Sequence, residues 1–283
     1  MNLPEYMPKL HSEMMTILER FDSFCKKNDL EYFLAAGTAL GARRHSGFIP
    51  WDDDLDVAMT MDSYRKFLDL VLKDGRDVIS GCHVDMPGDE NYAPMFVKVC
   101  KNNTAFETDE TVNAGYAQGI FLDVLPISFL ARDNRIRKKQ IRNAVMWQSI
   151  SYIYHSKTVN VPQDGFIGFL EKIACWMLHY LFRAVLNESF IRKHFEKSYI
   201  DEDLSQELIF LHSAYMKSIP AELIFPLSSS TFEVGVFPVP GRIEDFLTYI
   251  YGDWKKLPRL DQIHIHCPKQ IIFSDGTEWH CVD

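Results

Sequence analysis

The sequence predicts an α/β (α+β) chain in which a mixed-sheet core is interrupted by a helical insertion. Three observations carry this prediction. Residues 34–59 read as an apolar strand, a Gly37-Thr38 turn, a short basic helix and a second strand rich in acids. Residues 120–124 are an apolar strand with one acid, Asp123. From Asn134 to about Met216 the pattern turns helical. No composition break, repeat or low-complexity tract marks a linker. The 283 residues are therefore read as a single domain: a core over 28–128, a helical insertion over 129–216, and C-terminal strands, loops and a helix over 217–283.

In chain order, Met7, Leu10, Met14, Leu18, Phe21 and Phe24 recur every three or four residues, which predicts an amphipathic helix stopped at Asn28-Asp29. Residues 32–36 are the first strand. A helix over 63–72 closes at Lys73-Asp-Gly75, and 77–79 and 82–85 form one strand or two. Segments 96–100 and 104–107 flank Lys101-Asn-Asn103, a hairpin signal. Pro126 is expected to terminate the strand bearing Asp123. The insertion opens on Arg135, Arg137, Lys138, Lys139 and Arg142, read as a solvated helix face with phosphate or membrane contact as the alternative. Residues 166–186 are strongly apolar, and Lys172, His179 and Arg183 share one face. That predicts a helix packed on the core, the alternative being one lying on a membrane surface. Beyond Ala221 short strands and loops precede a helix near Ile243–Tyr251.

Composition excludes several classes. A net charge of −9 argues against a non-specific nucleic-acid binder, which needs a basic face. Six scattered cysteines without a C-x-x-C pair predict reduced, mostly buried thiols and a cytoplasmic setting. The first thirty residues hold no secretory signal, and no run approaches the roughly 20 apolar residues of a membrane span. There is no G-x-S-x-G elbow, P-loop or G-x-G-x-x-G. His264, His266, Cys267, His280 and Cys281 are zinc-ligand types, but their spacing fits no standard module.

The acids carry the chemistry. In an extended chain Asp54 and Asp56 project together while Leu55 and Val57 turn to the core. Asp52 lies at the same alternation, and Asp53 points the other way, which makes it the expected silent control. Neighbouring carboxylates repel unless a cation or proton sits between them, and oxygen ligands of this kind suit Mg²⁺ or Mn²⁺ shared with substrate phosphates. An EF-hand is excluded because the sixth residue from Asp52 is Val57, not Gly. A Gly37-Thr38 turn entering a helix would let backbone N–H groups approach a phosphate.

The segment GTALGARRHSGFIPWDDDLDVAM closely resembles the signature of the LicD family, a branch of the nucleotidyltransferase-fold superfamily. Gly37-Thr38 matches the superfamily's Gly-Ser/Thr element, and Asp54-Leu55-Asp56 its paired metal-binding acids. The resemblance continues at Gly119-Ile-Phe-Leu-Asp123-Val-Leu-Pro126, at Phe232-Glu233, at Phe237-Pro-Val-Pro240 and at Tyr251-Gly-Asp-Trp254. It implies a nucleotidyltransferase-like mixed sheet. It further implies transfer of an alcohol phosphate, phosphocholine above all, from a CDP-linked donor to a glycan or lipid-linked glycan hydroxyl, with release of CMP. Asp54 and Asp56, with Asp52 beside them, would then anchor Mg²⁺ or Mn²⁺, and Asp123 would hold a second metal or act as base. Arg44 and His45, from their place in the motif, and Lys98, from its strand context, are candidates for diphosphate contact. Arg43 stands where the family more often has an apolar residue, and Glu233 and Tyr251 match landmarks without an evident role. A lipid-linked acceptor would bring peripheral contact with the inner membrane face. Two other functions compete: a true nucleotidyltransferase, which would release pyrophosphate, and a catalytically silent nucleotide-binding protein.

Overall fold

A computed structural model describes residues 4–156, 165–213, 217–259, 265 and 268–281. The first half of the chain runs α1 (Met7–Lys27), β1 (Phe33–Leu34), α2 (Ala36–His45), β2 (Asp56–Thr60), α3 (Met61–Asp74), β3 (Cys82–Asp85), β4 (Val97–Lys101), β5 (Ala105–Glu107), α4 (Asp109–Ala114) and β6 (Phe121–Ala131). Three helices follow: α5 (Asn134–His155), α6 (Gly165–Val185) and α7 (Glu188–Glu196). The chain then returns through β7 (Leu204–Phe210), β8 (Ile219–Pro220), α8 (Ala221–Ile224), β9 (Ser228–Phe232), β10 (Gly235–Val239), α9 (Ile243–Tyr251), β11 (Gln270–Ile272) and β12 (Glu278–His280).

The central sheet has the order β1-β2-β6-β4-β3, with β7 and β8 added on β6. The β2–β6 pair is parallel, and the other neighbours are antiparallel. Leu55, Val57, Val84, Val97, Val99, Leu122 and Val124 are buried in one cluster with the apolar stripe of α1 and with Tyr64, Phe67 and Val71 of α3. Ala58, Leu125, Ile127, Leu208 and Phe210 pack instead with α8 and α9 through Leu223, Ile224, Phe246 and Leu247. Period-2 alternation makes this division: adjacent residues of one strand belong to opposite cores.

The structure differs from the sequence reading in several places. The first strand is only two residues long, because Ala36 takes a positive φ of 43° and opens α2. Residues 77–79 lie outside any strand, leaving β3 alone. β5 does not form a hairpin with β4, since both edges of β4 are taken by β3 and β6; it pairs with β11 instead. β6 runs through Pro126 to Ala131. The Asp123 N–H donates to the Leu55 carbonyl just before β2, so by alternation the nitrogen of residue 126 faces the opposite side. There β4 has ended, at Val124, and β7 has not yet begun, at Ile127, so no ladder hydrogen bond is lost to Pro126. The helical stretch ends at Glu196 rather than near Met216, and 204–210 is a strand of the main sheet.

Of the six cysteines, Cys25, Cys82 and Cys100 are free and buried, Cys175 is free and half-buried, and Cys281 is free and exposed. His264, His266 and Cys267 lie outside the described residues.

Candidate active site

Strand register builds the site. Asp56 on β2 is the Cα partner of Asp123 on β6, Asp123 is the partner of Lys98 on β4, and Lys98 is the partner of Asp85 on β3. Registered neighbours project to the same side of a sheet about 4.8 Å apart, so these four charges form one row across four strands. Asp56, Asp123 and Lys98 are all buried. The Lys98 ammonium is 2.6 Å from Asp123 Oδ1 and sits over the ring of Phe121, 3.6 Å from its centroid. Burial, followed by the negative charges of Asp54, Asp123 and Asp52, pushes the Asp56 carboxyl well above the usual range; Lys98 offsets part of this. Asp52, Asp54 and Asp123 therefore all lie close enough to act on Asp56. Leu55 and Val57 are fully buried beneath them.

Gly37 and Thr38 position these acids. A Cβ on Gly37 would lie 2.8 Å from Asp52 Oδ2, so only glycine lets that carboxylate approach the first turn of α2. The buried Thr38 hydroxyl accepts the Asp56 N–H at 2.8 Å, tying α2 to the start of β2. Arg44 donates to the Trp254 carbonyl at 3.0 Å; burial lowers its pKa while the nearby Asp52 charge opposes that. His45, lowered by burial and then by Arg44, stacks edge-on to Trp51. Lys98 is engaged by Asp123, so the acid that sequence reasoning offered as a metal ligand or base is held by the cation it offered to the diphosphate.

Other residues of the site were not assigned from sequence. Tyr251 has its phenol raised by burial and then by Asp56, Asp52 and Asp54, which places it beside the acids. His11 on α1 meets the Asp52 carbonyl at 2.7 Å through Nε2 and stacks on Phe48 at 4.2 Å. Glu233 accepts the Phe48 N–H at 3.0 Å and donates its own backbone N–H to Ser46, so it pins the loop after α2. Arg43 pairs with Glu244 and links α2 to α9, which accounts for a charge where an apolar residue was expected. Asp53, expected to point away from the other acids, is only 2% exposed, and its charge acts on His11.

Beside Asp123 and Lys98 opens a cavity of about 200 Å³ walled by Phe96, Tyr116, Phe121 and Tyr152. As for a metal, the donor set is all carboxylate, with Asp56 and Asp123 buried, Asp52 and Asp54 half-buried, and the charges of the other three raising Asp56, which suits a hard divalent cation. Among the described residues no three His, Cys, Asp or Glu side chains close into a metal-holding group. A metal here would have to be held by one or two of these carboxylates and completed by other oxygens such as those of a phosphate, as Mg²⁺ commonly is.

Residues 29–164 match the family described as LicD/FKTN/FKRP, nucleotidyltransferase domain. The chain carries a LicD-family domain. Asp52, Asp54, Asp56, Asp123 and Lys98 all fall within the matched span. The chain is 27% identical over 254 residues to the lipopolysaccharide cholinephosphotransferase LicD of Haemophilus influenzae, covering 86% of this chain and 89% of that protein. Uncharacterized proteins of Rickettsia prowazekii and Rickettsia typhi are each 54% identical over 33 residues, 12% of this chain and 12% and 11% of theirs. The LicD match ends at residue 164, yet α9 and β7 beyond it complete the second core and bring Tyr251 to the acids.

Proposed function

We propose that this protein is a metal-dependent phosphotransferase that moves an alcohol phosphate, phosphocholine first among them, from a CDP-linked donor to a hydroxyl of a lipopolysaccharide-type glycan, releasing CMP. One observation carries the reading. Asp56 and Asp123 are registered partners on parallel strands, and Asp54 and Asp52 charge the same spot. The relatedness to a lipopolysaccharide cholinephosphotransferase supports the choice of cargo and acceptor.

Asp54 and Asp56, with Asp52 behind them, would hold Mg²⁺ or Mn²⁺ against the donor diphosphate. Bound there, the ion supplies charge neutralisation for the two phosphates and for the departing CMP. Arg44 and His45, at the C-terminal end of α2, would contact the outer phosphate oxygens. The Lys98 ammonium, 2.6 Å away, would orient Asp123, which would accept the acceptor's hydroxyl proton. The aromatic walls of the neighbouring cavity suit a quaternary ammonium, which binds over aromatic faces.

The test is a donor screen with CDP-choline, CDP-ethanolamine, CDP-glycerol and CDP-ribitol, reading CMP in the presence of Mg²⁺ or Mn²⁺ and a glycan acceptor. CMP release from CDP-choline is expected. Pyrophosphate release from a nucleoside triphosphate would assign the nucleotidyltransferase reaction instead, and no metal-dependent turnover of any donor would leave only nucleotide binding.

A further inference from the structure

The helix α6 packs on its neighbours by a mixed face: Phe182 and Leu186 are half-buried against the cluster of α5 and α7, and His179 meets the Ile153 carbonyl of α5 at 2.8 Å, while Arg183 is exposed over the Tyr154 ring. Ile173, Trp176, Met177, Tyr180, Leu181 and Val185 are between 39% and 65% exposed, and Trp176 and Tyr180 pack edge to face. Seventeen large apolar side chains are exposed among the described residues, and ten of them lie on α5, α6 and α7. The expectation that 166–186 packs by its apolar face holds for Phe182 and Leu186, while most of the other described apolar side chains of α6 face outward.

Charge is segregated in the same place. Residues 134–197 hold eleven Lys and Arg against four Asp and Glu, a net +7, in a chain whose total is −9. The rest of the chain is therefore −16. On α5, Arg135, Lys138, Lys139 and Arg142 are exposed, and the helix has no acidic residue. No helix among the described residues is long and apolar enough to cross a membrane.

We propose that the α5–α7 layer docks on a bilayer surface rich in anionic phospholipid, the apolar face of α6 entering the headgroup region and the basic residues of α5 meeting the phosphates. An amphipathic helix with Trp and aliphatic residues on one face and cations nearby has the composition for this position. A second copy of the chain is the weaker occupant, since two +7 layers would repel. The inference stands on the surface alone and does not depend on which group the acids transfer.

The experiment is flotation of the full chain with phosphatidylcholine vesicles and with vesicles containing about a third phosphatidylglycerol, at roughly 0.05 M and 0.5 M salt. Binding is expected only with the anionic vesicles and is expected to weaken at high salt. Trp176→Ser with Met177→Ser should lower it at least tenfold without altering the thermal melt, because both side chains are already exposed. Lys138→Glu with Lys139→Glu should lower it at least about 20-fold and flatten the salt dependence. Absence of binding to anionic vesicles at low salt overturns the proposal. So does a dimer in solution that the Trp176/Met177 variant abolishes, which would assign the face to a second copy.

Discussion

Replacing Lys98 with Met tests the charge row most directly. Lys98 and Asp123 are 7% and 8% exposed, and their charges are 2.6 Å apart. At an effective dielectric constant of about 20 that separation is worth about 6 kcal/mol of attraction. Part of it merely repays the desolvation of two buried ions, so the expected cost of removing one partner is the roughly 3–5 kcal/mol typical of a broken buried pair. For a chain of this size that lowers the melting temperature by roughly 5–8 °C. Asp123, facing Asp56 without its ammonium, should then hold its proton in the folded state more strongly than in the unfolded chain. A carboxyl raised in the folded state favours folding at low pH and loses that contribution as pH rises. The Lys98→Met deficit should therefore be largest near pH 8 and shrink toward pH 5. Adding Asp123→Asn to Lys98→Met should recover most of the stability, because no buried charge is left unpaired. Thermal melts of both variants across that pH range are the assay. A deficit independent of pH, or a double variant no more stable than Lys98→Met alone, would refute the reasoning.

Other outcomes follow from the same geometry. Asp56→Asn should abolish CMP release yet raise the melting temperature by about 1 kcal/mol equivalent in metal-free buffer. Because the Asp56 carboxyl is raised in the fold, that gain should grow with pH, and Mg²⁺ should stabilise the wild type but not the variant. Asp54→Asn should also abolish turnover. Asp53→Asn should lower the melting temperature measurably, since the side chain is buried, whereas an unchanged melt and unchanged activity would return it to the role of silent control. Gly37→Ala should reduce turnover at least about tenfold by displacing Asp52, with circular dichroism unchanged. Thr38→Val leaves the buried Asp56 N–H without its acceptor and should cost about 1–3 kcal/mol, while Thr38→Ser should restore both stability and rate.

Much of the fold was legible because it is local. The stripe from Met7 to Phe24 has a single helical solution, and Asn28 and Asp29 end α1 where their spacing implies. The acids at 52, 54 and 56 could be assigned a shared face because extended chain alternates, and Leu55 and Val57 are buried on the other side as that requires. The errors arise where a neighbour distant in sequence decides. β5 failed to pair with β4 because β6, which comes later in the chain, already occupies that edge. Pro126 failed to end β6 because its nitrogen meets the gap between two partner strands.

The sequence by itself determined the chemistry available: carboxylates at alternate positions, a glycine turn before them and a third acid in an apolar strand. It determined also that a strongly apolar helix would follow, since composition and period are written residue by residue. Tertiary structure alone decided that Lys98 would clamp Asp123, that Tyr251 would reach the acids from 195 residues beyond Asp56, and that α6 would leave Trp176, Met177, Tyr180 and Leu181 facing solvent. The physical reason is the same in each case. A side chain's direction follows from its own backbone, but what it meets there depends on the register and packing of segments far away in the chain.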